Sequence, residues 1–267
     1  MTNIICAVIN KIKTNDIMAI AAEITYKLLF AFFPFLMFLL TILSFFTLDI
    51  YALTSYIDGV LPEQLLVFIE LISESIINAP RTRILSISLL FAIFSAAMGF
   101  KSLLKGVYKL YYDEPDTRSF IKIMLSSLLL VISFTFTLIV ALITIIFGSS
   151  IIHFLDIIFG WHTGFEFLIQ AISTTLAICI MLITAILINI LAQKEKVPIK
   201  KILPGSIFTV VMWVLSSYLF SFYVQNFWRM ASVYGSVAGI MIFMLWLNII
   251  CVMTLVGSSV NSVLRAR

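Results

Sequence analysis

The apolar residues of this chain fall into blocks rather than stripes. Six blocks, at about 28–48, 84–104, 123–147, 167–192, 202–224 and 237–260, hold few or no charges. At about 1.5 Å per helical residue, each is long enough to cross a hydrocarbon core of about 30 Å. Nowhere do apolar and polar residues alternate over the ~10-residue segments of a transmembrane barrel. The pattern predicts an all-α, polytopic membrane protein of six spans, with residues 1–267 forming one membrane domain.

Two stretches outside the blocks carry helical periodicity. Ile5, Val8, Ile9 and Ile12 share one face of a helix over residues 4–12, which suits a short interfacial helix. It is not expected to be a cleaved signal, because Asp16, Glu23 and Lys27 interrupt the apolar residues that follow. Thr14, Asn15 and Asp16 offer caps for the next helix. In the first loop, Pro62 and Glu63 suit a helix start. Leu65, Phe68, Ile69, Ile72 and Ile76 then recur at helical spacing, predicting an amphipathic external helix.

Composition sharpens the class. Charged residues are 11% of the chain, against about 25% in an ordinary soluble domain, so no appended soluble enzyme is expected. Basic residues are distributed unevenly: taken by alternate connecting segments, they number fourteen against three. The positive-inside asymmetry predicts that both termini are cytoplasmic. Cys6, Cys179 and Cys251 have no spacing that suits a metal or a disulfide framework and read as small apolar filler.

Several sequence pieces resemble the YihY/virulence factor BrkB family, membrane proteins formerly labelled the ribonuclease BN family. In the first span these are Ala21-Ala22-Glu23-Ile24-Thr25-Tyr26 and Phe33-Pro34-Phe35-Leu36. Around the second they are Ser95-Ala96-Ala97-Met98-Gly99-Phe100, Tyr108, Tyr112 and Arg118-Ser119-Phe120. The densest set lies in the last third: Val197-Pro198, Leu203-Pro204-Gly205, Trp213, Phe220-Ser221-Phe222-Tyr223-Val224, Asn226-Phe227, Tyr234-Gly235-Ser236, Trp246 and Gly257. The resemblance implies six spans, a plasma (inner) membrane location in a bacterium and little chemistry. Its nuclease label is regarded as a misassignment, and some relatives are connected to envelope lipid transport. Where the family often ends its last span in Gly-Ala-Glu, this chain reads Gly257-Ser258-Ser259, so no role of that carboxylate carries over.

Candidate residues follow from charge and polarity inside the blocks. Glu23 and Lys27, four apart at the entrance of the first span, fit either the mouth of a polar cleft or an interfacial anchor pair. Pro34 removes a backbone donor one to two turns deeper and kinks the helix, for a path or merely for packing. Asn189 and Asn248 are deep polar groups that need an interhelical partner or a cavity. Together these are the substrate-path candidates.

Lys101, Lys105 and Lys109, from the end of the second span onward, drift only slowly round a helix at their four-residue spacing and form a basic stripe that with Arg118 could hold an anionic lipid headgroup. The bland alternative is ordinary topogenic charge. Gly235 and Gly239, with Ser95 and Gly99, are small-xxx-small pairs for helix packing. Pro204-Gly205 reads as a first-turn proline opening the fifth span. His153, Asp156, His162 and Glu166 flank Trp161 in normal interfacial composition, and no metal is expected there. Asp113, Glu114 and Asp116 are a weak basis for metal-dependent nuclease chemistry, with Arg118 at hand to neutralise them.

The expectation is a non-enzymatic plasma-membrane protein, a transporter or handler of an anionic lipid or lipid-linked precursor. No catalytic residue, metal or cofactor is assigned. Membrane lipids are the expected partners, with a second copy or another membrane protein also open, and nucleic acid is not expected. The alternative class is a scaffold that recruits membrane proteins without transporting anything.

Overall fold

The computed structural model describes residues 2–45, 81–137, 165–195, 197–227 and 236–266, which form helices and their connections, with no strand among them. In chain order these are α1 (Thr2–Thr14), α2 (Ile17–Phe45), α3 (Arg81–Tyr112), α4 (Phe120–Thr137), α5 (Phe165–Leu191), α6 (Ile199–Phe227) and α7 (Ser236–Arg265). All but α1 are long and apolar enough to cross a membrane. Helices suit these sequences because hydrocarbon offers no partner for a backbone N–H or C=O, and a helix satisfies both internally. The external helix expected after Pro62 and the loop carrying His153, Asp156, Trp161 and His162 lie outside the described residues.

The helices outrun the apolar blocks. α2 begins at Ile17, directly after the expected caps and well before the apolar block opens at Leu28, and α3 continues to Tyr112, past the end of its block at 104. Lys101, Lys105 and Lys109 stand on the last three turns of that helix, as their four-residue spacing suggests. α6 begins at Ile199, which places Pro204 inside the helix and not in its first turn. α2 runs on through Pro34 to Phe45, although the proline leaves the Phe30 carbonyl without its usual donor.

Both described termini lie at one end of the bundle. There the turn between α1 and α2 meets the end of α3: Lys11 and Asn15 each donate to Asp113, at 3.1 Å. Asp16 and Asp113, which terminate α1 and α3, both take left-handed backbone angles (φ 49° and 54°), a region open to aspartate at modest strain. At the same end Arg265 of α7 donates to Gln193, just past α5, at 2.8 Å.

α3 is the central helix, with 56% of its Leu89–Tyr112 span buried against 17% for the α5 and α6 spans. It packs along α2, and α7 lies against α2, α3 and α6, while α5 leans on α6. The shared core centres on Ile17, Ile24, Leu104, Val107, Leu110 and Leu255, each at most 1% exposed. In membranes close packing rather than water exclusion holds helices together, and two crossings show it. Gly99 faces the Leu28 side chain, where an added Cβ would come within 2.6 Å of it. Gly205 and Gly257 bring the backbones of α6 and α7 into contact, so that a Cβ on Gly257 would lie 2.8 Å from the Gly205 carbonyl and inside the Thr209 hydroxyl.

α1 divides the apolar face read from its sequence. Val8 is buried and Ile12 packs on the core, with the helix lying against α7, whereas Ile5 and Ile9 point outward.

Candidate functional site

Two polar regions emerge at the termini end, and they differ in how completely their groups are paired. The deeper in the protein is a node where α3, α5, α6 and α7 meet. Tyr111 donates to Asn189 Oδ1 at 2.8 Å, and Asn189 Nδ2 donates back to the Ala185 carbonyl of its own helix. Asn189 thus has the interhelical partner its depth requires. Asn261 Oδ1 accepts the Gly205 N–H at 2.6 Å, clamping α6 to α7 one turn below the glycine contact. Its Nδ2 is buried toward Tyr111 with no hydrogen bond of good geometry. Ser262 donates to the Leu110 carbonyl, and the Tyr112 hydroxyl accepts from both the Lys194 N–H and Arg265.

A buried ion pair closes the node on the α4 side. Arg118 donates to Asp116 through Nε (2.9 Å) and Nη2 (2.6 Å), and through Nη1 to the Leu191 carbonyl at the end of α5. Its guanidinium lies 5.1 Å from the centre of the Tyr108 ring, and both charged side chains are almost wholly buried. Arg118 is therefore a staple between the α3–α4 connection and α5, not the headgroup ligand its charge suggested. The burial of Asp116 likewise removes it from any exposed acidic cluster with Asp113 and Glu114.

The second region is a ledge on the outer side of α2, α3 and the start of α4. Lys27 pairs with Glu23 along α2 and donates to Ser102 of α3 at 2.7 Å. Lys101 stands with its ammonium 4.1 Å from the centre of the Phe120 ring, and the charges of Lys105 and Lys27 act on it. Three cations thus share this ledge with one carboxylate, Glu23, which pairs with Lys27. Glu23 and Lys105 are exposed, Lys27 and Lys101 partly so. Above the lysines α3 presents Phe91, Phe94 and Met98 outward, and α2 presents Tyr26 and Phe30. The spacing from Phe91 through Phe94, Met98 and Lys101 to Lys105 alternates three and four, which keeps all five on one helical face. A cationic band therefore underlies an apolar track suited to an acyl chain.

The remaining sequence candidates divide. Asn248 donates to Thr25 at 3.3 Å. Thr25 lies two residues from both Glu23 and Lys27, hence on the opposite side of α2, so Asn248 belongs to the α2–α7 seam and not to the ledge. Pro34 is half-buried in α2. Lys109 is half-buried one turn below Lys105, Ser95 is half-buried, and Gly99 and Gly239 are buried; Gly235 lies outside the described residues. The contact between Gly205 and Gly257, the Tyr111 partner of Asn189 and the role of Ser102 were not legible in the sequence. Among the described residues no group of three or more His, Cys, Asp or Glu side chains comes together in a way that could hold a metal ion.

Outside the spans one carboxylate is tuned. Burial by itself pushes Asp113 up, but the hydrogen bonds from Asn15 and Lys11 and the Lys11 charge outweigh it and hold the group below its ordinary value.

Comparison with known proteins matches residues 8–267 to the family described as virulence factor BrkB. The chain is 29% identical over 247 residues to the putative ribonuclease-like protein YfkH of Bacillus subtilis, covering 92% of this chain and 90% of that protein. No solved structure matches.

Proposed function

Because the chain belongs to the virulence factor BrkB family, whose match runs through all six long apolar helices, we propose that it handles an anionic amphiphile in a bacterial plasma membrane. The amphiphile is a phospholipid or a lipid-linked precursor. The termini end faces the cytoplasm in this reading, in keeping with the excess of basic residues in the segments that would lie there. The observation that carries the proposal is the ledge. Lys27, Lys101 and Lys105 outnumber Glu23, remain accessible, and lie directly below outward-facing Phe94 and Met98. Each lysine gains about 1 kcal/mol from an anionic headgroup near the surface.

The protein acts without catalysis in this reading, and the ribonuclease-like name of its Bacillus relative does not transfer. Purified protein with Mg²⁺ is expected to leave RNA intact. The direct test is leaflet exchange of a fluorescent phosphatidylglycerol in reconstituted vesicles. Wild-type protein accelerates exchange over protein-free vesicles, and Lys27→Met with Lys101→Met abolishes the acceleration. Exchange at the protein-free rate for the wild type would sink the reading for this lipid. Stable co-purification with a single membrane protein, without exchange, would favour a scaffold instead.

A further inference from the structure

The two sides of the bundle have different apolar lengths. On α3, seventeen uncharged residues separate Arg83 from Lys101, about 25 Å of helix. On α2, the eighteen described residues from Leu28 to Phe45 that follow Lys27 carry no charge, about 27 Å of helix. On α5, twenty-seven separate Glu166 from Lys194, about 40 Å. α6 has twenty-six uncharged described residues after Lys201, and α7 twenty-nine before Arg265, about 39 and 43 Å.

Contacts fix these helices in register, so the short side cannot slide to compensate. Tyr112 is bonded to Lys194 and Arg265, which places the ends of α3, α5 and α7 at one level. Asn15 and Lys11 hold the start of α2 at that level through Asp113. Lys101 stands eleven residues before Tyr112, and Lys27 ten residues after Ile17. Both helices therefore carry the ledge about 15 Å further into the membrane than the basic residues that end α5 and α7. The Lys27–Ser102 bond confirms the shared height of the two halves of the ledge.

We infer that the bilayer is thinned against the α2–α3 face, and that this thinned annulus is where phospholipids bearing an anionic phosphate headgroup cross between leaflets, passively and in both directions. Charged side chains at membrane depth draw in water and headgroups, and an apolar stretch shorter than the surrounding hydrocarbon is met by local thinning. The ledge lowers a phosphate group toward the membrane centre while Phe94, Met98 and Phe30 keep its chains in lipid. The opposite face, α5 to α7, has a charge-free belt longer than the hydrocarbon core, which helix tilt accommodates without thinning the bilayer. The inference rests on the lipid-handling reading above and adds its route and direction.

The test measures depth apart from transport. In full-length protein with Cys6, Cys179 and Cys251 replaced by alanine, a spin label is placed at Met98→Cys or at Leu215→Cys. Both native side chains face outward. They lie at comparable heights, given the Ser262–Leu110 and Trp213–Ile250 contacts. The vesicles are dioleoyl phosphatidylcholine with a minority of dioleoyl phosphatidylglycerol, and the readout is collision with a water-soluble nickel chelate. Accessibility at position 98 is expected severalfold above that at 215, falling to the same value when Glu23, Lys27 and Lys101 are all replaced by leucine. Equal accessibility at the two positions in protein that still exchanges lipid would overturn the thinning and leave the lipid-handling reading standing. A clear difference in protein that exchanges nothing would overturn the crossing route together with that reading.

Discussion

The node and the ledge are built from similar residues and have opposite economies. In the node almost every polar group has a protein partner: Tyr111 with Asn189, Asn261 with Gly205, Arg118 with Asp116 and Leu191. In the ledge the one carboxylate, Glu23, is paired with Lys27, while Lys101 and Lys105 stand beside them with Lys105 exposed and Lys101 partly so. Closed pairing gives a rigid joint. Open excess charge leaves capacity for a ligand. Under the proposed function, the balance of partners, and not depth alone, separates glue from site in this protein.

The strongest way to break this contrast is to open the node. Arg118→Met leaves Asp116 buried without its counter-charge and is expected to destabilise the protein by about 3–5 kcal/mol. Adding Asp116→Leu should recover part of that loss, giving a non-additive cycle in thermal unfolding in detergent. Purely additive losses would mean the pair is not a unit. Gly257→Ala, whose Cβ meets Thr209 and the Gly205 carbonyl, is expected to cost about 1–3 kcal/mol by forcing α6 and α7 apart. Gly106→Ala meets side chains and no backbone, the Ile20 Cγ2 methyl at 2.7 Å with Ile24 and Leu255 at 3.4 and 3.5 Å, and should cost less. If the two substitutions cost the same, the backbone contact is not what holds these helices.

How much of this was readable in advance depends on how local each signal is. The six spans were legible because a run of twenty apolar residues has few other fates. The end of α3 was less so, because hydropathy drops at Lys101, Lys105 and Lys109 and puts the end of the apolar block near 104, whereas packing of Leu103, Leu104 and Val107 carries the helix on to Tyr112. Asn189 declared that it needed a partner, but nothing in the chain pointed to Tyr111, seventy-eight positions away. Arg118 looked available to lipid because its tie to Leu191 exists only after α5 has docked. Small-residue pairs were sought at i,i+4 within one helix, yet the tightest contact uses single glycines from two helices. Glu23 and Lys27 were readable together from their spacing alone, and the structure added Ser102 and Lys101 beside them.

Smaller effects sharpen the same contrast. Tyr111→Phe removes one neutral hydrogen bond in the node, with an expected loss of about 1 kcal/mol or somewhat more, since Asn189 Oδ1 is left buried. The α1 latch is weaker still. Asp113 is held below its ordinary carboxylate range, so its contribution is present above the unfolded value of 3.8 and is lost as pH falls through the lower folded value. Lys11→Met should therefore cost under about 1 kcal/mol at neutral pH. Hydrogen exchange of α1 should rise only below the ordinary carboxylate range, and a rise already near neutral pH would assign the latch to another group.

The central claim is that the ledge acts on lipid while the node only holds the helices. The measurement that addresses it most directly is leaflet exchange of fluorescent phosphatidylglycerol, with thermal stability read on the same preparations, for wild type, Lys27→Met with Lys101→Met, and Tyr111→Phe. The ledge variant is expected to keep its melting temperature and lose the protein-dependent exchange, and Tyr111→Phe to lose stability while keeping exchange. Unchanged exchange in a folded ledge variant would contradict the account.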